Sequence, residues 1–337
     1  MLTLDRLSEL LSKFPRLRIG LVGDLFLDRY LEIPAGNEEL SIETGLEAYQ
    51  VTRIRNYPGA LGTVMNNLAA LGVGQLLPVT VIGRDGHGFD LLEALSSLPV
   101  DTTGIVQASD RLTPTYTKPM RGDASGAWHE LNRLDVRTRA AISADTHAEL
   151  VIRLEEMFAT ADGVIVLDQL VDEGCGVVDA RLRQALARLA RRYPEKLIYT
   201  DSRAHLAEFM FGVLKGNRGE LLRSTDNAAE LRKVMLDLSK RNRQAVFCTL
   251  GEEGIAVALP EGKWEQVPGD AVPPPIDVCG AGDAATSGIV ASMLSGATAV
   301  EAASVGNLVA SITVQQLGTT GTATPEQVLE RMRSVET

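Results

Sequence analysis

The sequence predicts an α/β protein: a doubly wound, mainly parallel sheet flanked by helices, with a small β-sheet lid. Three observations predict it. Continuous apolar runs of strand length alternate with amphipathic helical runs, the pattern of strands buried on both faces. Two segments, residues 29–57 and 113–134, break that rhythm with turn formers and mixed polar, β-branched and aromatic residues, and read as short strands leaving the main sheet. The 337 residues, 45% hydrophobic and without a low-complexity linker, suffice for one large core. We read residues 1–337 as a single domain with those two segments as its lid.

The elements follow in order. Leu7, Leu10, Leu11 and Phe14 have helical spacing, and Pro15 stops that helix before the strand "LRIGLVGD" at 17–24. "GALGTVMNNLAALG" predicts a helix, "LLPVTVIG" a strand, "GFDLLEALSSL" a helix and "GVIVLD" a strand. "ARLRQALARLARR" predicts a helix, "KLIYTD" a strand, "NAAELRKVMLDLSKR" a helix and "QAVFCTLG" a strand. Three helices close the chain, from 281, 298 and 325, the last with Thr324 as cap and Pro325 in its first turn.

Charge and composition exclude some functions. A formal net charge of −11 argues against nucleic acid or an anionic membrane as partner, and "RLARR" at 188–192 suits the end of a solvated helix. No apolar run reaches the roughly 18 residues of a membrane span. The N-terminal stretch carries acids and lacks the apolar core of a signal peptide. Three cysteines, Cys175, Cys248 and Cys279, show no paired spacing, which fits a reduced cytoplasm.

"DVCGAGDAATSGIV" at 277–290 carries the chemistry. Gly280, Ala281 and Gly282 let the backbone bring its N–H groups to a ligand at the mouth of a helix, a site for anionic oxygen. Asp283 stands where a second negative charge would repel that ligand. It makes sense as a base that takes a proton from an attacking hydroxyl, or, more simply, as a helix cap. In "LKGNRGELL", Asn217 and Glu220 offer the oxygen ligands of a hydrated Mg²⁺, or merely start a helix. Gly251 and Gly254 in "TLGEEGI" make a tight turn after a strand, either a hairpin or a floor for a nucleotide. Asp24, Asp28, Gly59, Asn66 and Asn67, at strand exits and a helix start, suit a polyhydroxylated ligand or serve as turns and caps. No G-x-G-x-x-G follows the first strand, against a dinucleotide-binding oxidoreductase.

In this order, these residues resemble the ribokinase-like sugar kinases, the PfkB carbohydrate kinase family, over residues 16 to 333. The signature is "DVCGAGD" at 277–283, with "VGDLFLDRY", Pro58-Gly59, "KGNRGE" and "TLGEEG" in support. Within the family, "SIETGLEAYQVTRIRNYPGALGTVMNNLAALG" and "TPTYTKPM…HELNRLDV" look like the lid segments of kinases that phosphorylate D-glycero-D-manno-heptose 7-phosphate. The resemblance implies ATP as donor, Mg²⁺ as cofactor, a sugar or sugar phosphate as acceptor, and a homodimer through the lid. It implies Asp283 as catalytic base and the amides of Gly280, Ala281 and Gly282 as the anion hole. Lys215, Asn217, Glu220, Thr249, Gly251, Gly254, Asp277 and Asn307 would serve ATP, with Asn217 and Glu220 holding Mg²⁺ through water. Asp24, Asp28, Gly59, Asn66, Asn67 and Lys118 would meet the acceptor. For an acceptor that already carries a phosphate, Arg53, Arg55, Lys118, Arg121 and Arg133 are the candidate cations. The chain departs from the family at Ala60, where Gly-Gly is usual, at Gly216 in place of proline, and at Cys279 in place of Thr or Ser. The alternatives are a kinase for another sugar or a nucleoside, and a silent sugar or nucleotide sensor.

Overall fold

The computed structural model describes residues 2–36, 38–171, 174–223, 228–318 and 320–336. The chain begins with α1 (Leu4–Leu11), β1 (Arg18–Gly23), β2 (Leu25–Ile33), the hairpin β3 (Glu38–Leu40) and β4 (Glu47–Tyr49), β5 (Arg53–Ala60) and α2 (Leu61–Ala70). It continues with β6 (Gln75–Gly83), α3 (Gly86–Leu95), β7 (Ile105–Ala108), β8 (Thr115–Gly122), β9 (Trp128–Glu130), β10 (Leu134–Val136) and α4 (Ala144–Thr160). Next come β11 (Gly163–Asp168), α5 (Ala180–Arg192), β12 (Leu197–Ser202), β13 (Val213–Asn217), α6 (Arg218–Leu222) and α7 (Ala228–Asn242). The last elements are β14 (Val246–Thr249), β15 (Ile255–Ala258), β16 (Trp264–Val267), α8 (Ala281–Leu294), α9 (Ala299–Thr313) and α10 (Pro325–Glu336).

The main sheet runs β16-β15-β14-β13-β12-β11-β1-β6-β7, parallel except where β15 turns back antiparallel on β14 and β16 on β15. Side chains alternate between two cores. Ile165 and Leu167 enter the one closed by α1, α2, α8 and α9, while Val164 and Val166 enter the one closed by α4, α5 and α7. Strands buried on both faces read as unbroken apolar runs, which is why the sequence shows them.

The second sheet runs β10-β8-β2-β5, with β9 on β8. It is mixed, because β2 and β8 pair in parallel. It also begins earlier than the sequence suggests, at Leu25, and ends later, at Val136. The β3–β4 hairpin is a separate two-stranded sheet. One long helix has no counterpart among the sequence expectations: α4, capped by Ser143 and buried through Leu150, Leu154, Met157 and Phe158. Among the described residues no helix is long and apolar enough to cross a membrane.

Candidate active site

The α8 N-terminus is built by a left-handed residue. Gly280 has φ 78°, and a Cβ there would sit 3.3 Å from Thr320 Cγ2 and 3.4 Å from Thr63 Cγ2, so a bare backbone suits the turn. Asp277 pins the loop from behind, accepting from the amides of Cys279 (3.0 Å) and Gly318 (3.2 Å). The Ala281 amide donates to Val278 O at 3.2 Å, which removes it from the expected anion hole. The amides of Gly280, Gly282 and Asp283 have no acceptor among the described residues. Three donors without an acceptor among the described residues, and the positive end of the helix dipole, thus stand in the turn that carries Asp283.

Burial is the main reason the Asp283 carboxyl is pushed up to about 7. Asp201 and Glu220 push in the same direction, while Lys215 and Arg203 pull it down. Lys215 lies in the middle of β13 and pairs with Asp201 on β12, Nζ to Oδ2 2.5 Å, both side chains almost fully buried. A Cβ on Gly282 would lie 3.2 Å from Lys215 Nζ, so the ammonium borders the α8 N-terminus directly. Burial works to lower the Lys215 pKa, but Asp201, Asp283 and Glu220 outweigh it and the amine is raised.

Asn217 and Glu220 form a capping box at the start of α6. Asn217 Oδ1 accepts from the Glu220 amide at 2.9 Å, and Glu220 Oε2 accepts from the Asn217 amide at 2.7 Å. Their spacing therefore has a structural cause of its own. Glu220 Oε1 has no hydrogen bond among the described residues, and burial raises the carboxyl's pKa. These oxygens fit a Mg²⁺ held through its waters. Thr249 lies opposite Asn217 in the β13–β14 register. The turn beyond it carries Gly251 at φ 64° and Gly254 at φ 92°, and it leads into the β14–β15 hairpin. A Cβ on Gly254 would meet Val267 O at 2.2 Å. Asn307 holds the same segment, its amide nitrogen donating to Val267 O (3.1 Å) and Pro268 O (2.9 Å).

The lid supplies the opposite wall. Asp28, Tyr30, Tyr57, Tyr116 and Lys118 share one face by register. A Cβ on Gly59 would lie 2.4 Å from Asp28 Oδ2, so glycine is the residue that lets this carboxyl pack. Burial raises the Asp28 pKa, with Lys118 and Arg133 pulling against it. Burial raises the Cys279 thiol's pKa, with Asp277, Asp28 and Asp283 adding to the rise and Lys118 opposing it.

Of the five candidate lid cations, four are already matched. Arg53 and Arg55 face Glu32 (3.9 and 2.7 Å), Arg121 faces Glu47 (2.7 Å), and Arg133 faces Asp135 (2.7 Å). Lys118 Nζ instead donates to the Tyr30 hydroxyl at 3.1 Å and lies 4.8 Å from that ring's centroid, with no carboxylate within ion-pair distance among the described residues.

Asp24 has a different position from Asp28. Its carboxylate is buried and accepts from the amides of Val177 (2.8 Å), Gln169 (3.1 Å) and Leu170 (3.2 Å), anchoring the segment after β11. Asn67 is buried on α2 with its nitrogen donating to Thr63 O, and Asn66 is half-buried on the same helix. Thr63, which the sequence did not single out, is the α2 side chain beside Gly280. Asp201 and Arg203 are further omissions, since "KLIYTDSR" carries no signal beyond its strand pattern.

The profile described as pfkB family carbohydrate kinase matches residues 36–327. The chain belongs to the pfkB family. Among curated relatives of this pfkB chain, the bifunctional protein HldE of Geotalea uraniireducens is 28% identical over 331 residues, covering 96% of this chain and 64% of its own. HldE of Helicobacter pylori strain G27 is 29% identical over 308 residues, covering 89% and 63%. The chain thus spans just under two thirds of these relatives. In fold it is similar to an Arabidopsis thaliana ribokinase solved with ribose and ATP, at TM-score 0.69 and 18% identity, covering 94% of this chain and 99% of that one. It is similar also to Escherichia coli phosphofructokinase-2, at TM-score 0.69 and 19% identity, covering 95% and 100%.

Proposed function

We propose that the chain is an ATP-dependent sugar kinase in which Asp283 is the general base. The observation that carries the reading is the position of Asp283, a carboxyl that burial pushes upward, beside amides without an acceptor among the described residues at the N-terminus of a 14-residue helix. Asp283 takes the proton of an acceptor hydroxyl, and the resulting oxygen forms a bond to the γ-phosphorus of ATP as the bond to the β,γ-bridging oxygen breaks, releasing ADP. The amides of Gly280, Gly282 and Asp283 offset charge on the group in transit, with Lys215 beside them. Asn217 and Glu220 would hold Mg²⁺ through water, and the ion would offset phosphate charge. Asp28, Gly59 and Lys118 would meet the acceptor across the lid.

The acceptor we favour is a sugar phosphate of the heptose 7-phosphate type. Lys118 supports it, as the one of the five candidates without a carboxylate partner among the described residues. We assign a second copy of the chain to the exposed apolar side chains of the lid segments, Leu40, Ile42, Leu46, Ile54 and Leu134. Mass spectrometry of products from ATP, Mg²⁺ and a panel of free and phosphorylated sugars tests the substrate. Phosphorylation of a sugar phosphate in preference to its free sugar is expected. Preference for the free sugar, or for a nucleoside, overturns the acceptor assignment.

A further inference from the structure

The kinase reading leaves the cation at the end of β12 unused. Arg203 follows the last residue of β12, and its amide donates to Asp168 O at 3.0 Å, so the β11–β12 ladder continues through it. Alternate residues of a strand share a face, which sets Arg203 in line with Tyr199 and Asp201. That is the face of α8: Tyr199 is buried in the core that α8 closes, and Asp201 reaches Lys215 beside Gly282. Arg203 lies at the open end of this row and is exposed. Among the described residues its guanidinium has no ion pair or hydrogen bond, whereas Lys215 is committed to Asp201 and Arg218 to Glu253. Its field reaches both Asp283 and Glu220.

A cation in line with Asp201 on the α8 face, whose charge acts on two carboxylates while it is bonded to neither, is arranged for an anion at the open end of this row. We propose that Arg203 grips the phosphoryl group as it passes from ATP to the acceptor. A guanidinium suits the task, because its planar fork can follow two phosphoryl oxygens while they move and it keeps its protons throughout. The sequence gives no motif for it. The proposal rests on the kinase reading, and it adds a catalytic residue to the base, the amides and the buried lysine.

Arg203→Met and Arg203→Lys test it against the unaltered protein, with calorimetric binding of ADP and of a non-hydrolysable β,γ-imido ATP analogue beside steady-state turnover. In Arg203→Met, ADP affinity should stay within about twofold, the ATP analogue should weaken roughly tenfold, and kcat should fall about 10²-fold. The acidic limb of its pH profile should also move to higher pH, since a charge that favours ionised Asp283 is gone. Arg203→Lys should recover part of each loss. Equal weakening of both nucleotides, or unchanged kcat in Arg203→Met while the unaltered enzyme turns over, overturns this proposal alone. If the unaltered protein binds neither nucleotide, the kinase reading fails and this proposal fails with it.

Discussion

Lys215 and Asp201 form a buried ion pair, Nζ to Oδ2 2.5 Å, on adjacent strands directly beneath the N-terminus of α8. Removing either partner leaves an uncompensated charge in a dry site. Lys215→Met should cost about 3–5 kcal/mol in urea denaturation. Loss of the ammonium should also move the Asp283 pKa upward, since Lys215 opposes Asp201 there. An intact unfolding midpoint in Lys215→Met would contradict the pairing.

The acid limb of turnover should fall near neutrality. A base works only when ionised, and burial pushes the Asp283 carboxyl of the free protein up to about 7, so kcat/KM should rise with pH through that value and then level. Stability should change in the opposite direction. The folded carboxyl binds its proton more tightly than the unfolded one, so folding loses stability between the ordinary aspartate range and about pH 7. Asp283→Asn should therefore raise the melting temperature at pH 8 and leave it nearly unchanged at pH 4. The comparison needs only thermal melts at the two pH values.

Ala60 stands at φ 52°, ψ −110°, backbone that glycine adopts without cost. Such strain costs about 1–3 kcal/mol. Ala60→Gly should relieve it, less the roughly 0.4–1 kcal/mol that glycine adds to unfolded-chain entropy, for a net gain of about 1 kcal/mol. Chemical denaturation decides the sign, and a destabilised variant would refute the strain.

Lys118→Ala should raise the acceptor KM by about 10-fold or more, the loss of one charge-assisted hydrogen bond, and leave the ATP KM alone. Asp24→Asn should do the reverse of what a sugar ligand would do. It replaces a carboxylate that accepts three backbone amides, so its main effect should be a destabilisation of about 1–3 kcal/mol with little change in acceptor KM. A large KM effect with unchanged stability would return Asp24 to the acceptor site.

These contrasts show what the sequence made legible. β11 and β12 were visible because strands buried on both faces leave unbroken apolar runs, and α8 because glycines precede it. α4 was not, although Ser143 and the spacing of Leu150, Leu154, Met157 and Phe158 carry its signal, because it follows a polar stretch that masks its start. Asp24 and Asp28 are alike in sequence, four residues apart at one strand exit. The turn from β1 into β2 sends one carboxylate to the segment after β11 and the other to the lid face. Asn217 and Glu220 were noticed for a spacing that a capping box also requires. Arg203 was missed because its importance lies in which neighbours lack partners, and local patterning does not record that.

Acceptor-dependent ADP release, measured for the unaltered protein and Asp283→Asn side by side at pH 8, decides whether Asp283 is the base. Release should require the sugar acceptor and fall at least about 10²-fold in Asp283→Asn, with nucleotide binding retained. Equal release from both proteins would contradict Asp283 as the base.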